Sequence, residues 1–415
     1  MTPLYSRRKF IRTGAAALGS LALSAQLKGQ DHKTVSANDT LNIGVIGTGD
    51  RGAYEAWILH NTPGIRVTAC CDILPDHLRA GLEGSNPAAK GYRDYRDLLG
   101  QKELDAVLIC TPQHLHYAMA LDALDAHKHI ICQKTLTLNT RDALALSTAV
   151  KNHSTVFQVA YQWQSIPLFA RVREMIRAGK IGQLTQVRGT YNFHTNWREE
   201  LSDPGLERIV NWRMYREYSG GLMAELLSHQ INITNWVLGA LPERVIGSGG
   251  INFYRDGRET YDNVNVIFDY PGGVKASFQS MLSNAYEDVK MIFMGSEGTI
   301  VVKNQEGQEA FFFAEPVRVA EVLEKEKIDS VDAISSASRR AWASGEGIPI
   351  TVEKNTGDDV EATRAMFLEF ADCVRNGKTP RSNIDNGCQV AIAVDMANQA
   401  MRSGLPETWK PEYGS

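Results

Sequence analysis

Three groups of residues have the types and spacing for chemistry. The first is Gly47-x-Gly49-x-x-Gly52, which follows the apolar residues Ile43, Val45 and Ile46 and precedes a helical pattern from Ala53. A strand that turns sharply into a helix suits a dinucleotide pyrophosphate. Gly47 permits the tight turn, Gly49 lets the backbone approach the phosphates, and Gly52 lets helix and strand pack closely. The helix N-terminus adds free N–H groups and a positive dipole end. A second apolar run, Ile65 to Cys71, ends in Asp72, about twenty residues past the last glycine, the spacing at which an acid meets the ribose 2′-OH. That carboxylate would repel a 2′-phosphate, so NAD is expected rather than NADP.

The second group is Lys134, just past the apolar run His129-Ile130-Ile131-Cys132. A lysine on a cofactor rim can polarise a substrate hydroxyl or carbonyl, and desolvation lowers its pKa toward the working range. The third is Glu225-x-x-x-His229 inside the apolar stretch from Leu222. Four residues apart on a helix, both side chains lie on one face, and a carboxylate holding an imidazole is a general base. Gly220 and Gly221 let the backbone pass close to a ligand. No third ligand is spaced with this pair, so no metal is expected.

The elements that position these groups follow from the hydrophobic pattern. Asp105 to Cys110, His129 to Cys132 and Val156 to Ala160 read as buried strands. Helical patterns run from His116 to Ala126 and from Arg141 to Asn152. Alternating strands and helices imply a parallel, doubly wound sheet with ligands at the carboxyl ends of its strands. One rim should therefore carry Asp72, Thr111, Gln133, Lys134, Tyr161 and Gln162. After Gly182 the pattern changes. Strands are expected at Leu184–Phe193, Arg244–Ile251, Asn263–Tyr270, Val274–Met281 and Val289–Met294, with a Pro271-Gly272-Gly273 hairpin turn. Consecutive strands with tight turns imply a second domain built on a mainly antiparallel sheet. Residues 305–355 read as a surface insertion with one or two helices, and Thr363–Val374 and Cys388–Met401 as helices that pack back. The expected division is a leader at 1–40, a cofactor domain at 41–162 and a substrate and oligomerisation domain at 163–415.

Composition narrows the classes. The net charge is −4 and no long basic block occurs, which gives nucleic acid no electrostatic footing. The six cysteines include no CxxC, and four of them close apolar runs, as buried inert thiols do. At the N-terminus, Ser6-Arg7-Arg8-Lys9-Phe10-Ile11 is a twin-arginine pattern, followed by a soft apolar run from Gly14 to Leu23 and small residues at Ser24 and Ala25. That order is an export signal too short to span a membrane. No cysteine follows it, so a lipid anchor is not expected. The expectation is periplasmic or other export through the folded-protein route, with the cofactor already loaded.

Together these residues resemble the Gfo/Idh/MocA oxidoreductases, which include glucose–fructose oxidoreductase and inositol dehydrogenase. The resemblance rests on GTGDRG at 47–52, Thr111-Pro112-x-x-x-His116, Cys132-Gln133-Lys134-Thr135, Ile181-Gly182, Trp212-Arg213 before Gly220-Gly221, and Glu225-x-x-x-His229. It departs from the family at Gln133 and Thr135, where a glutamate and a proline are usual. The resemblance implies a Rossmann domain followed by an α/β domain whose open sheet forms dimer or tetramer contacts. It also implies cofactor contacts from Gly47, Gly49, Asp50, Arg51, Gly52, Asp72, Thr111, Pro112, Gln113, His116, Gln133, Lys134 and Gln162.

Tyr191, His194, Trp197, Arg198, Trp212 and Arg213 set aromatic faces beside hydrogen-bonding groups, which suits a sugar ring. Tyr161, Trp197, Trp212, Arg213 and His229 are the expected substrate contacts. The expected function is NAD-dependent oxidation of a sugar, glycoside or polyol hydroxyl, with Lys134, His229 and Glu225 handling the proton and the cofactor held tightly. Two rivals are a redox-neutral NAD-dependent glycosidase and a catalytically silent NAD-holding sugar-binding protein.

Overall fold

The computed structural model describes residues 40–303, 309–315, 347–352 and 359–414. The twin-arginine segment and most of the 305–355 stretch, where one or two helices are expected, lie outside the described residues.

The N-terminal half is a six-stranded parallel sheet in the order β3-β2-β1-β4-β5-β6. Its strands are β1 (Leu41–Ile46), β2 (Ile65–Cys71), β3 (Lys90–Tyr92), β4 (Ala106–Ile109), β5 (His129–Cys132) and β6 (Phe157–Val159). The order reverses beside β1, so the carboxyl ends of β1 and β4 flank the switch point at which such sheets bind ligands. Besides the short helix Tyr95–Leu99 between β3 and β4, four longer helices connect these strands: α1 (Asp50–His60), α2 (Pro75–Glu83), α3 (Gln113–Asp125) and α4 (Thr140–Lys151). β1 and β4 are buried on both faces, which is why they read as near-continuous apolar runs.

The chain then passes through α5 (Pro167–Arg177) into a nine-stranded sheet in the order β14-β13-β12-β11-β7-β10-β9-β8-β15. Its strands are β7 (Leu184–Tyr191), β8 (Arg244–Gly250), β9 (Asn263–Asp269), β10 (Lys275–Met281), β11 (Val289–Gly295), β12 (Gly298–Lys303), β13 (Glu309–Ala314), β14 (Ile348–Pro349) and β15 (Glu407–Thr408). The Pro271–Gly273 turn joins the antiparallel pair β9 and β10, as its residues imply. All pairings are antiparallel except β7 with β10, which lie side by side in parallel although far apart in sequence. Within the stretch read as an insertion, β13 and β14 are strands at one edge of this sheet.

Among the described residues, three more helices of over ten residues follow: α6 (Ser228–Leu238), α7 (Asp359–Asn376) and α8 (Ile384–Ser403). α6 does not start alone. Met223–Leu227 forms a π-helical turn that runs directly into it. α7 places Met366, Phe367 and Phe370 against Ile43, Val45, Ile58 and Leu59 of the first sheet's core. α8 is buried on most of its surface and packs against both β8 and α4, joining the two sheets. An asparagine capping box at Asn383 and Asn386 starts it. Among the described residues, no helix is long and apolar enough to cross a membrane.

The turn from β1 into α1 is the tightest packed part of the first sheet. Gly47 has φ +85°, and a Cβ on Gly52 would lie 1.8 Å from the Gly47 carbonyl oxygen. Backbone cannot yield as a side chain does. Gly52→Ala is therefore expected to destabilise the protein by about 3 kcal/mol and to abolish cofactor binding, measured by thermal denaturation and NAD titration. A variant with the parent's melting temperature would show that α1 can shift outward without cost.

Candidate functional site

The cofactor end of the site is built from backbone. Ala53 N–H closes the first turn of α1 onto the Gly49 carbonyl at 2.9 Å, so the N–H groups before it are those a helix leaves free. A Cβ on Gly49 would meet only the His77 ring, at 3.5 Å, so the face of the turn at Gly49 is otherwise open. The Thr48 hydroxyl is buried without a partner. The Asp72 carboxylate is fixed by two backbone N–H groups, Thr48 to Oδ2 at 2.8 Å and Leu74 to Oδ1 at 2.9 Å. An open glycine turn at a helix N-terminus, with a fixed carboxylate at the end of the next strand, fits a dinucleotide.

Lys134 and Thr135 leave the end of β5 through a cis peptide bond and reach into the π turn. Lys134 Nζ donates to the Glu225 carbonyl at 2.6 Å, and Thr135 Oγ1 donates to the Ala224 carbonyl at 3.0 Å. Ser228 Oγ also donates to Ala224, at 2.8 Å. A π turn loosens the helix ladder and leaves carbonyls open to outside donors. Burial pulls the Lys134 pKa below its ordinary value, and the nearby Glu225 carboxylate partly offsets this.

The Glu225 carboxylate is taken by two donors from other elements. Gln113 Nε2 donates to Oε1 at 2.7 Å and Arg213 Nε to Oε2 at 2.9 Å. Burial would raise the Glu225 pKa, but Lys134 and Arg213 overcome it and hold the group below the usual glutamate value. The expected Glu225–His229 pair is thus corrected. The four-residue rule presumes an α-helical turn, whereas here the turn is π-helical and a charged arginine captures the carboxylate. His229 is instead stacked on Trp163, with ring centroids 4.8 Å apart, and its Nδ1 is buried without a partner. Burial first, then the Lys134 and Arg51 charges, drive its pKa well below 6.5, so the imidazole is neutral.

Several expected contacts are committed elsewhere. The Gln113 side-chain carbonyl oxygen accepts Gly220 N–H at 2.8 Å, so its amide bridges the two halves. His116 is buried between the carbonyls of Thr135 and Thr111, at 3.0 and 2.9 Å, and ties one rim strand to the next. Gln162 Nε2 donates to Asp359 at 3.0 Å, and Gln133 Nε2 donates to Glu55 at 2.6 Å. The Arg51 guanidinium spans Glu55 and Asp359, at 2.7 and 2.9 Å. Asp50 is exposed in the first turn of α1, and Pro112 is the N-cap of α3. Thr111 contributes its carbonyl to His116.

Of the expected substrate residues, Tyr161 is 1% exposed and packs edge-on to His229, so it supports the site from beneath. Trp212 and Arg213 share a 3₁₀ turn, with the guanidinium 4.3 Å over the indole, and Arg213 reaches the Lys134 neighbourhood through Glu225. Arg198 is held by Glu207 and Asp256, and His194 bridges to Ser283 and packs near Phe253. Those contacts set Arg198 and His194 in the adjoining loops, not beside Lys134. Trp197, with φ +60°, packs as a half-buried residue against the core.

Sequence reasoning missed Glu55, Trp163 and Asp359. Glu55 carried a signal: an acid four residues after Arg51, flanked by Ala56, Ile58 and Leu59 on a helix that had to be buried. Trp163 and Asp359 carried none, because their partners are distant in sequence.

Residues 41–161 match the family described as "Oxidoreductase family, NAD-binding Rossmann fold", and residues 169–301 match "GFO/IDH/MocA C-terminal domain". The chain is 27% identical over 300 residues to levoglucosan dehydrogenase of Pseudarthrobacter phenanthrenivorans, covering 63% of this chain and 73% of that protein. It is 25% identical over 372 residues to scyllo-inositol 2-dehydrogenase (NAD(+)) of Bacillus subtilis, covering 87% and 94%. A solved levoglucosan dehydrogenase in complex with NADH has the same fold, with TM-score 0.70 and 19% identity over 89% of this chain and 99% of the other. With its NAD-binding Rossmann sheet and its mainly antiparallel second sheet, the chain belongs to the Gfo/Idh/MocA oxidoreductases.

Proposed function

We propose that the protein oxidises a hydroxyl of a sugar, glycoside or polyol, with Lys134 as the proton acceptor. The observation that carries this reading is the environment of Lys134. It ends a strand on the cofactor rim, is half-buried, and is fixed by the Glu225 carbonyl. NAD bound at the glycine turn supplies the hydride acceptor. The residues manage the proton. Neutral Lys134 takes it from the substrate hydroxyl, and the resulting ammonium is stabilised by the Glu225 carbonyl and carboxylate. His229, neutral and stacked on Trp163, supplies a polar edge without a competing charge. Half-buried Trp212 suits the apolar face of a ring.

The relatives named above act on an anhydrosugar and an inositol, which supports a ring polyol as the substrate class. We further propose that the protein is exported and keeps its cofactor between turnovers, as the twin-arginine pattern suggests. Ile246 and Ile267 on the outer face of the second sheet, 40% and 42% exposed, support assembly of two or four copies through that face. Reduction of the bound cofactor on adding levoglucosan or scyllo-inositol, read by absorbance of the protein, is expected of a dehydrogenase. Glycoside cleavage without net NADH would favour the redox-neutral route.

Lys134→Met is expected to lower turnover by about 10² to 10⁴ while NAD still binds, because the glycine turn holds the phosphates. Full activity in that variant would place the proton acceptor elsewhere. Because neutral Lys134 is the acceptor, the oxidation rate should rise with pH. Since burial lowers the lysine pKa, the midpoint of that rise should fall below 10.5; a midpoint at or above it would exclude Lys134.

Asp72→Ala removes both the ribose acceptor and the repulsion of a 2′-phosphate. NAD affinity should fall and NADP affinity should rise in fluorescence titrations. Equal shifts for both would remove Asp72 from the ribose.

A further inference from the structure

We propose that Glu55 is a positioning residue for Lys134: through Gln133 it fixes the end of β5 and sets a negative charge behind the lysine. The proposal rests on the reading of Lys134 above.

Glu55 lies on α1, and its side chain is 0% exposed. Its Oε1 accepts two bonds, from Arg51 Nε at 2.7 Å and from Gln133 Nε2 at 2.6 Å. Its Oε2 lies 3.6 Å from the Cys110 thiol at the end of β4. One buried carboxylate therefore joins the cofactor turn, through Arg51, to the ends of β4 and β5. Gln133 is the residue immediately before Lys134, so its amide orientation sets where the lysine departs from the strand. A buried carboxylate with charged and neutral donors on one oxygen is held rigidly, because every alternative leaves a polar group unpaired in a low-dielectric site.

The charged and titratable groups facing Lys134 come from four elements. Glu225 and His229 lie on the π turn and α6, Arg213 on its 3₁₀ turn, and Arg51 and Glu55 on α1. Arg213 and Arg51 oppose protonation of the lysine, while Glu225 and Glu55 favour it. Glu225 is engaged by Arg213 and Gln113 as well. Glu55, on α1 beside the glycine turn, is the second carboxylate that favours the charged lysine. Removing it should leave Arg51 with Asp359 as its anionic partner and make Lys134 lose its proton more readily.

The test reads the lysine directly. The full chain, loaded with NAD, is labelled with ¹³C-lysine and titrated by NMR, and the Lys134 signal is assigned by its loss in Lys134→Met. Glu55→Gln should move the Lys134 midpoint down by about one pH unit. The exchange variant Glu55→Gln/Gln133→Glu puts the charge back across the same bond and should return the midpoint toward the parent value. Glu55→Asp keeps the pair with Arg51 but falls short of Gln133, and should give a smaller shift in the same direction. It also serves if Glu55→Gln does not fold. A lowered melting temperature with an unchanged midpoint, or an exchange variant that fails to restore it, overturns the proposal. Undiminished turnover of levoglucosan or scyllo-inositol by Lys134→Met would instead overturn the role of Lys134 and leave the titration result standing.

Discussion

The site depends on one contact, the insertion of Lys134 and Thr135 into the π turn at Met223–Leu227. An α-helix satisfies its own carbonyls and offers little to a neighbour. A π turn leaves some of them open, and here two residues from the end of a parallel strand take the carbonyls of Ala224 and Glu225. The contact fixes the rim of the cofactor sheet against the second domain with directional bonds. Apolar packing between the halves would tolerate sliding, whereas buried polar bonds do not, since a small displacement leaves donors unpaired. Gln113 repeats the arrangement from α3, giving one bond to Glu225 and accepting one from Gly220.

Charge in the site alternates. Arg51 lies between Glu55 and Asp359, and Glu225 lies between Lys134 and Arg213. Each buried ion therefore has an opposite neighbour, as burial demands. His229 adds no charge to this row. Its pKa is driven down by burial and by two cations, and its ring rests on Trp163. A lysine with a depressed pKa beside a neutral imidazole can exchange a proton with a hydroxyl without building up net charge in the cleft.

The parts of this arrangement legible in the sequence are those whose physics is local. The glycine turn, Asp72, the buried strands and the Pro271–Gly273 hairpin each depend on a few consecutive residues and were read at their observed positions. The parallel neighbours β7 and β10 were not legible, because register between distant strands has no local signature. The Glu225–His229 pairing failed because spacing assumes a helix type, and the π turn arises from partners outside the helix. Gln133, Gln162 and Arg51 lie on loops of the cofactor rim, which is what the sequence displays. Their side chains are bound to Glu55 and Asp359, and Asp359 lies 308 positions from Arg51. A sequence displays the loop that a side chain leaves but not the partner it meets.

That long-range pair has a structural consequence. Arg51 stands in the first turn of α1, where the free N–H groups of the cofactor site lie, and one of its two anionic partners is the first described residue of α7. Gln162, just past the end of β6, donates to the same Asp359. Below them Met366, Phe367 and Phe370 of α7 cover the face of the parallel sheet formed by Ile43, Val45 and Val67. The first sheet is thus incomplete without residues that follow strands β7 to β14 of the second sheet. Its apolar face and the arginine beside its glycine turn are both completed by α7. Cofactor domain and C-terminal helix are one packing unit, which explains why the chain crosses the nine-stranded sheet and then returns.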